Sequence, residues 1–179
     1  DVAYDLLLQE TYPSWLYPVK MGATTIWERW DGQKTDSTFQ DAGMNSFNHY
    51  AYGAIGDWMY RISAGIETKT PGYRNLLIQP HVSGKLKLSK ASFESPYGKI
   101  VSGWERKDGK VLITVKIPAN SKATICLPVN SIEKVTIGGK MLSADLNLSN
   151  IRIQGENVML ESGSGEYLFE IAEKKTYEV

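Results

Sequence analysis

The hydrophobic pattern changes its period once along the chain. In the first part, apolar residues recur at three- and four-residue steps. The clearest case is Phe47, Tyr50, Ala51, Ala54, Ile55, Trp58, Met59 and Ile62, which lie on one face of a helix. Asn45 or Ser46 can start that helix by accepting a hydrogen bond from a free backbone N–H, and Gly65 is a suitable terminator. A helix is therefore predicted from about Ser46 to about Ala64. Residues 1–8, Asp-Val-Ala-Tyr-Asp-Leu-Leu-Leu, read as the middle of another amphipathic helix. Between the two, Tyr12 to Met44 is rich in Pro, Gly, Thr and aromatics and has no sustained period. A connection of that length in a compact domain is characteristic of a functional loop.

Beyond Gly72 the period becomes two. Val111, Ile113, Val115 and Ile117 alternate with Leu112, Thr114 and Lys116, and Asp108-Gly109 and Gly138-Gly139 mark turns. Further strands are predicted at 75–79, 85–88, 100–105, 123–127, 134–137, 158–160 and 165–171, a spacing that fits a β-sandwich of about a hundred residues. The expected fold class is α+β, with an N-terminal helical segment over 1–72 and an antiparallel β-sandwich over 73–179, divided near Pro71-Gly72. The stripe on 46–64 is wider than two helices can bury, so the helical part is expected to belong to a larger helical assembly. A chain that opens inside a helix, with no cap and no start methionine, is expected to be a piece of a longer polypeptide.

Composition narrows the function. Positive and negative side chains balance to a formal net charge of +0 over 179 residues, and the cations are scattered. No stripe of them can track a line of phosphates, so nucleic acid is not an expected partner. No run of about 18 uncharged apolar residues is present to cross a bilayer. Cys126 is the single cysteine and reads as a small buried hydrophobe, which leaves no disulfide framework and no thiolate metal site. His81 has no companion at ligand spacing, so neither a metal nor another cofactor is expected. The compartment stays open, with periplasm or exterior favoured over cytoplasm.

The candidate chemistry lies in Gly22-Ala23-Thr24-Thr25-Ile26-Trp27-Glu28-Arg29-Trp30-Asp31-Gly32, where one carboxylate stands between two indoles. Pyranose C–H faces pack on indole rings, and a carboxylate beside them suits general-base work. From the residues alone, Glu28 equally suits an ion pair with Arg29 or a helix end. Trp27 and Trp30 suit either a sugar pocket or a core, and His49 suits either a loop-facing contact or local capping. Asp31, Asp36 and Asp41 sit in turn or polar surroundings and are poor candidates for a second carboxylate. Gly32 and Gly53 suit turn geometry and close packing.

The string Ala23 to Gly32, together with Ser46-Phe47-Asn48-His49-Tyr50-Ala51-Tyr52-Gly53-Ala54, Pro71-Gly72-Tyr73-Arg74 and Ile78-Gln79-Pro80, resembles glycoside hydrolase family 78, the α-L-rhamnosidases. The resemblance implies an (α/α)6 catalytic barrel followed by a C-terminal β-sandwich, of which this chain supplies the last barrel helices and the sandwich. It implies an inverting hydrolase of rhamnose-containing glycans or glycosides, with Glu28 as general base and His49 on a rhamnose hydroxyl. The family's general acid lies in an upstream motif that 1–179 does not contain, so the rest of the polypeptide is an implied partner and the isolated chain is expected to be inactive. The competing expectation is a non-catalytic carbohydrate-binding or structural sandwich module, in which Phe93, Tyr97, Trp104 and Phe169 would have to serve as platforms.

Overall fold

The computed structural model describes residues 2–142 and 148–173. Asp1, with which the first expected helix opens, and 143–147 and 174–179 of the expected sandwich lie outside the described residues. Two compact units are present, Asp1–Asp57 with Ser83–Lys85, and Trp58–Val82 with Leu86–Val179.

The first unit begins with α1 (Val2–Leu8), which buries Tyr4, and α2 (Leu16–Lys20), whose start is held by the Ser14 hydroxyl accepting from the Tyr17 N–H at 3.0 Å. A short 3-10 turn, Ala42–Met44, is capped by Asp41. The helix expected over 46–64 begins five residues late. Its helical run comprises a 3-10 turn at Ala51–Ala54, α3 (Ile55–Trp58) and a π-turn at Met59–Ser63. The reason is hydrogen-bond competition: backbone groups of Ser46 and His49 are already bonded to Glu28 and Ile26, and each N–H or C=O so used is withdrawn from the helical ladder. The predicted stripe is accordingly not one face, and Tyr50 is 89% exposed. The division between the two units falls inside this run.

In the second unit the π-turn closes with the Ala64 N–H on the Met59 carbonyl at 3.0 Å, and Gly65 then turns the chain at φ +81°, the terminator role expected of it. Two carbonyls at this helix end are met by the sheet: Trp104 Nε1 donates to Ser63 O at 3.0 Å and Ser102 Oγ to Ala64 O at 2.6 Å.

The strands are β1 (Ile66–Thr68), β2 (Asn75–Ile78), β3 (Leu88–Ser95), β4 (Gly98–Lys107), β5 (Lys110–Ile117), β6 (Lys122–Leu127), β7 (Val135–Ile137), β8 (Lys140–Met141), β9 (Leu148–Gln154), β10 (Asn157–Ser162) and β11 (Gly165–Ala172). They form one sheet of order β1-β2-β6-β10-β9 and one of order β3-β4-β5-β11-β7-β8. Pairing is antiparallel except for β2 with β6, which run parallel with Asn75 opposite Lys122. Inward residues of both sheets make one core, including Leu76, Ile78, Ile125, Leu127, Val158 and Leu160 from the first and Ile100, Ile113, Val115 and Phe169 from the second. The alternation read in 111–117 is the observed burial pattern of β5. Cys126 is buried in β6, and burial pushes its thiol pKa up. Pro71-Gly72, where the two parts were expected to divide, lies between β1 and β2, and Gly72 has φ +89°.

A Cβ on Gly65 would stand 2.2 Å from Pro80 N and 2.4 Å from Gln79 C, which are backbone atoms that cannot swing aside, whereas one on Gly109 (φ +72°) meets nothing within 4 Å. Gly65→Ala should therefore cost at least about 2 kcal/mol in urea unfolding, from left-handed strain plus overpacking, against about 1 kcal/mol for Gly109→Ala. Equal losses would show that the approach of Pro80 is not a constraint.

Candidate functional site

Two loop segments of the first unit are laced together. Glu28 N–H donates to Ser46 O at 2.8 Å, and Ser46 N–H donates back to the Glu28 carboxylate Oε2 at 2.7 Å. His49 N–H donates to Ile26 O at 2.9 Å, and the Thr25 hydroxyl donates to Phe47 O. Glu28 and His49 are distant in sequence, and this lacing brings their backbones into one neighbourhood. Glu28 is half-buried, and among the described residues its Oε1 accepts no hydrogen bond. Its neighbour Arg29 is occupied elsewhere, donating from Nε to Met44 O at 2.9 Å. The ion pair with Arg29 that the residues allowed is therefore not what holds Glu28.

His49 precedes the helical run instead of sitting in the first turn of a capped helix. Its half-buried imidazole accepts the Ala51 N–H on Nδ1 at 3.3 Å and stacks on Tyr50 at 5.4 Å. With Nδ1 accepting, a neutral ring carries its proton on Nε2, which leaves a donor available. Neither Asn45 nor Ser46 caps a helix: Asn45 Nδ2 donates to Gly32 O at 3.0 Å, and Ser46 Oγ accepts from Asn48 N–H at 3.2 Å.

The two indoles differ. Trp27 is 7% exposed and meets Phe47 edge-on at 5.2 Å, and Phe47 meets Phe39 at 5.6 Å. Trp30 stacks on Tyr52 at 3.8 Å and receives the edge of Trp15 at 5.1 Å, with Trp15 Nε1 donating to Tyr52 O at 3.0 Å. Trp15, Ile26, Trp27, Trp30 and Tyr52 share the lining of an open, largely apolar hollow of about 290 Å³, which Glu28 and His49 do not line. Gly32 packs against the first of these groups, for a Cβ there would lie 2.9 Å from Asn45 Oδ1 and 3.2 Å from both Phe47 and Trp27. Gly53 has an open neighbourhood by comparison, with Ile26 at 3.7 Å.

The other acids are engaged in local structure. Asp31 accepts from Gln40, and Asp41 accepts from Gly43 N–H at 2.8 Å. Asp36 accepts the Thr38 hydroxyl at 2.6 Å and its N–H at 3.0 Å; these two bonds, the hydroxyl first, lower its pKa. Tyr17, whose hydroxyl donates to Gln33 O at 3.0 Å, has its pKa raised by burial and then by the charges of Asp31 and Asp36. His81 belongs to the second unit, and among the described residues no group of three or more His, Cys, Asp or Glu is placed to hold a metal. Trp104 and Phe169 are 2% and 0% exposed, so they serve the sandwich core and not a sugar platform. The contributions of Thr25, Ser46, Trp15 and Tyr52 are not readable in the pattern, because each acts through a partner at least 18 residues away.

The described residues thus join a carboxylate and an imidazole on laced aromatic loops to a chain that continues into a β-sandwich. Residues 1–62 match the family model described as the bacterial alpha-L-rhamnosidase 6 hairpin glycosidase domain, and residues 65–141 match the bacterial alpha-L-rhamnosidase C-terminal domain. The chain belongs to the bacterial α-L-rhamnosidase family. It is 38% identical over 171 residues to an alpha-L-rhamnosidase of Streptomyces avermitilis, and 38% identical over 170 residues to one of Formosa agariphila. These alignments take in 96% and 95% of this chain but 16% and 18% of the relatives, so the chain spans about a sixth of their length. The solved Streptomyces avermitilis α-L-rhamnosidase complexed with L-rhamnose superimposes with a TM-score of 0.84 over 96% of this chain and 16% of that one. The Dictyoglumus thermophilum α-L-rhamnosidase does so with a TM-score of 0.80 at 30% identity, over 96% of this chain and 19% of its own.

Gly32→Ala should push Asn45 and Phe47 apart, lowering stability by about 1–3 kcal/mol and red-shifting tryptophan emission as Trp27 gains water. An unchanged unfolding midpoint and spectrum would show that the site absorbs a methyl group there.

Proposed function

We propose that this chain contributes the general base, Glu28, to an inverting α-L-rhamnosidase acting on terminal α-L-rhamnose of a glycan or glycoside. The observation that carries the reading is the Ser46 amide on Glu28 Oε2, which orients the carboxylate and leaves Oε1 to take a proton. The water that loses this proton forms its bond to the anomeric carbon as the glycosidic C–O bond breaks, and a general acid from outside residues 1–179 protonates the departing oxygen. An inverting pair of this kind holds its carboxyl groups about 6.5–9.5 Å apart, leaving room for the water. His49 offers Nε2–H to a rhamnose hydroxyl. Trp27 backs the loop from its buried position, and Trp30 borders the hollow beside it. In this reading the residues up to the helix exit complete a catalytic barrel, and the sheets that start with β1 form an accessory sandwich, so the division lies before the Pro71-Gly72 expected from the sequence.

In the full-length polypeptide, Glu28→Gln keeps an oxygen for the Ser46 amide but removes the base. Turnover of p-nitrophenyl α-L-rhamnoside should fall by at least about 10²–10⁴-fold with the melting temperature unchanged. Retained turnover would sink the assignment. The isolated chain 1–179 should release no p-nitrophenol, and activity in a pure preparation would require an acid within it.

A further inference from the structure

Some charged groups on the sandwich are paired, as Lys110 is with Glu170 and Lys116 with Glu166. Around a groove of about 940 Å³, Arg106 pairs with Glu173 at 2.8 Å and Glu156 accepts from Asn130 at 3.0 Å. The opposite situation holds where β2 meets β6. The parallel register sets Asn75 beside Lys122, and Lys122 N–H donates to Arg74 O at 3.0 Å, so two cations leave the sheet at neighbouring points. Both are exposed, and among the described residues neither has an acidic partner within ion-pair reach. Both side chains line one hollow, where an anion would meet two positive charges at once.

The surroundings are shaped to receive one. Two hollows, of about 450 and 490 Å³, share Asn75 and Lys122 in their walls. The smaller is lined by Arg74, Asn75, Asn120, Ser121 and Lys122, with no carboxylate. The larger adds Lys69, whose Nζ donates to Thr124 Oγ1 at 3.1 Å, and one acid, Glu161, whose Oε2 is already engaged by Asn150 at 2.9 Å. Arg74 follows Tyr73, which is held at φ +62° with its ring 4.5 Å from Phe93, so the backbone presenting the guanidinium is anchored. A guanidinium fork beside an ammonium suits a planar carboxylate or a sulfate, and the amide and hydroxyl side chains around them suit sugar hydroxyls.

We infer that Lys69, Arg74 and Lys122, with Asn75, Asn120 and Ser121, form an anion-binding subsite for a carboxylate- or sulfate-bearing sugar of an acidic glycan. The anion site stands on the sandwich geometry alone; the glycan as its source rests on the rhamnosidase reading. The test follows backbone amide shifts of ¹⁵N-labelled 1–179 titrated with trigalacturonate, neutral maltotriose and sodium phosphate. Trigalacturonate should move the amides of Asn75 and 120–122 saturably, and more weakly as salt is added, while maltotriose leaves them in place. Arg74→Gln and Lys122→Gln, both at exposed positions, should each weaken binding about tenfold, the loss of one hydrogen bond to a charged group, with melting temperatures unchanged. No shifts with either trigalacturonate or phosphate, equal shifts with maltotriose, or undiminished affinity in the double variant would overturn the site. Shifts with phosphate but not with trigalacturonate would overturn its assignment to a glycan. Glu28→Gln, which probes the catalytic reading, should leave this titration unaltered, so the two readings fail separately.

Discussion

The two hydrogen bonds exchanged by Glu28 and Ser46 govern the first unit. One is backbone to backbone and the other ends on the carboxylate, so a single pairing sets the path of both loops and the direction of the side chain between them. A hydrogen bond to a charged acceptor is stronger than one between neutral groups, and it fixes a flexible side chain at low entropic cost because the donor is backbone. The late start of the helical run follows from it, as does the placement of His49 beside Ile26. The aromatic layers of Trp27, Phe47 and Phe39, and of Trp15, Trp30 and Tyr52, fill the space on either side of the laced segments.

In the second unit the comparable constraint is the end of the π-turn. A helix terminus leaves carbonyls without intrahelical partners, and here an indole N–H and a serine hydroxyl from β4 meet two of them. Gly65 completes the exit, since only a residue without a Cβ fits both the left-handed backbone and the near approach of Pro80. Aromatic side chains of the sandwich that looked available to sugars are spent on these tasks: Trp104 on the Ser63 carbonyl and Phe169 on the core. Tyr97 by contrast stays exposed, and the cations at the junction of β2 and β6 have no ion-pair partner among the described residues.

Membership of the α-L-rhamnosidase family unites these parts, because the matched regions meet between residues 62 and 65, at the helix exit. The chain covers about a sixth of its relatives' length. The 290 Å³ hollow is walled by aromatics but not by Glu28 or His49.

The sequence by itself determined the α+β order, the central strands, Gly65 as a stop and the aromatic loop around Glu28. Each of these is written in local periodicity, or in a residue type with one conformational use. The unpredicted strands β1, β8 and β9 lie at or form sheet edges, and β3, predicted only at its first residue, is an edge as well. β3 does alternate in burial, but its covered positions are Ser89, Ala91, Phe93 and Ser95, too polar to show a hydrophobic period, while β1 and β8 are only 3 and 2 residues long and β9 is mostly exposed. Tertiary structure alone decided that Ser46 serves Glu28 and not a helix cap, that Trp27 is buried while Trp30 borders a hollow, and that Arg74 stands beside Lys122. All three depend on segments brought together over 18 to 48 residues, and the propensities of a short stretch of chain carry no record of the partner that will compete for its hydrogen bonds.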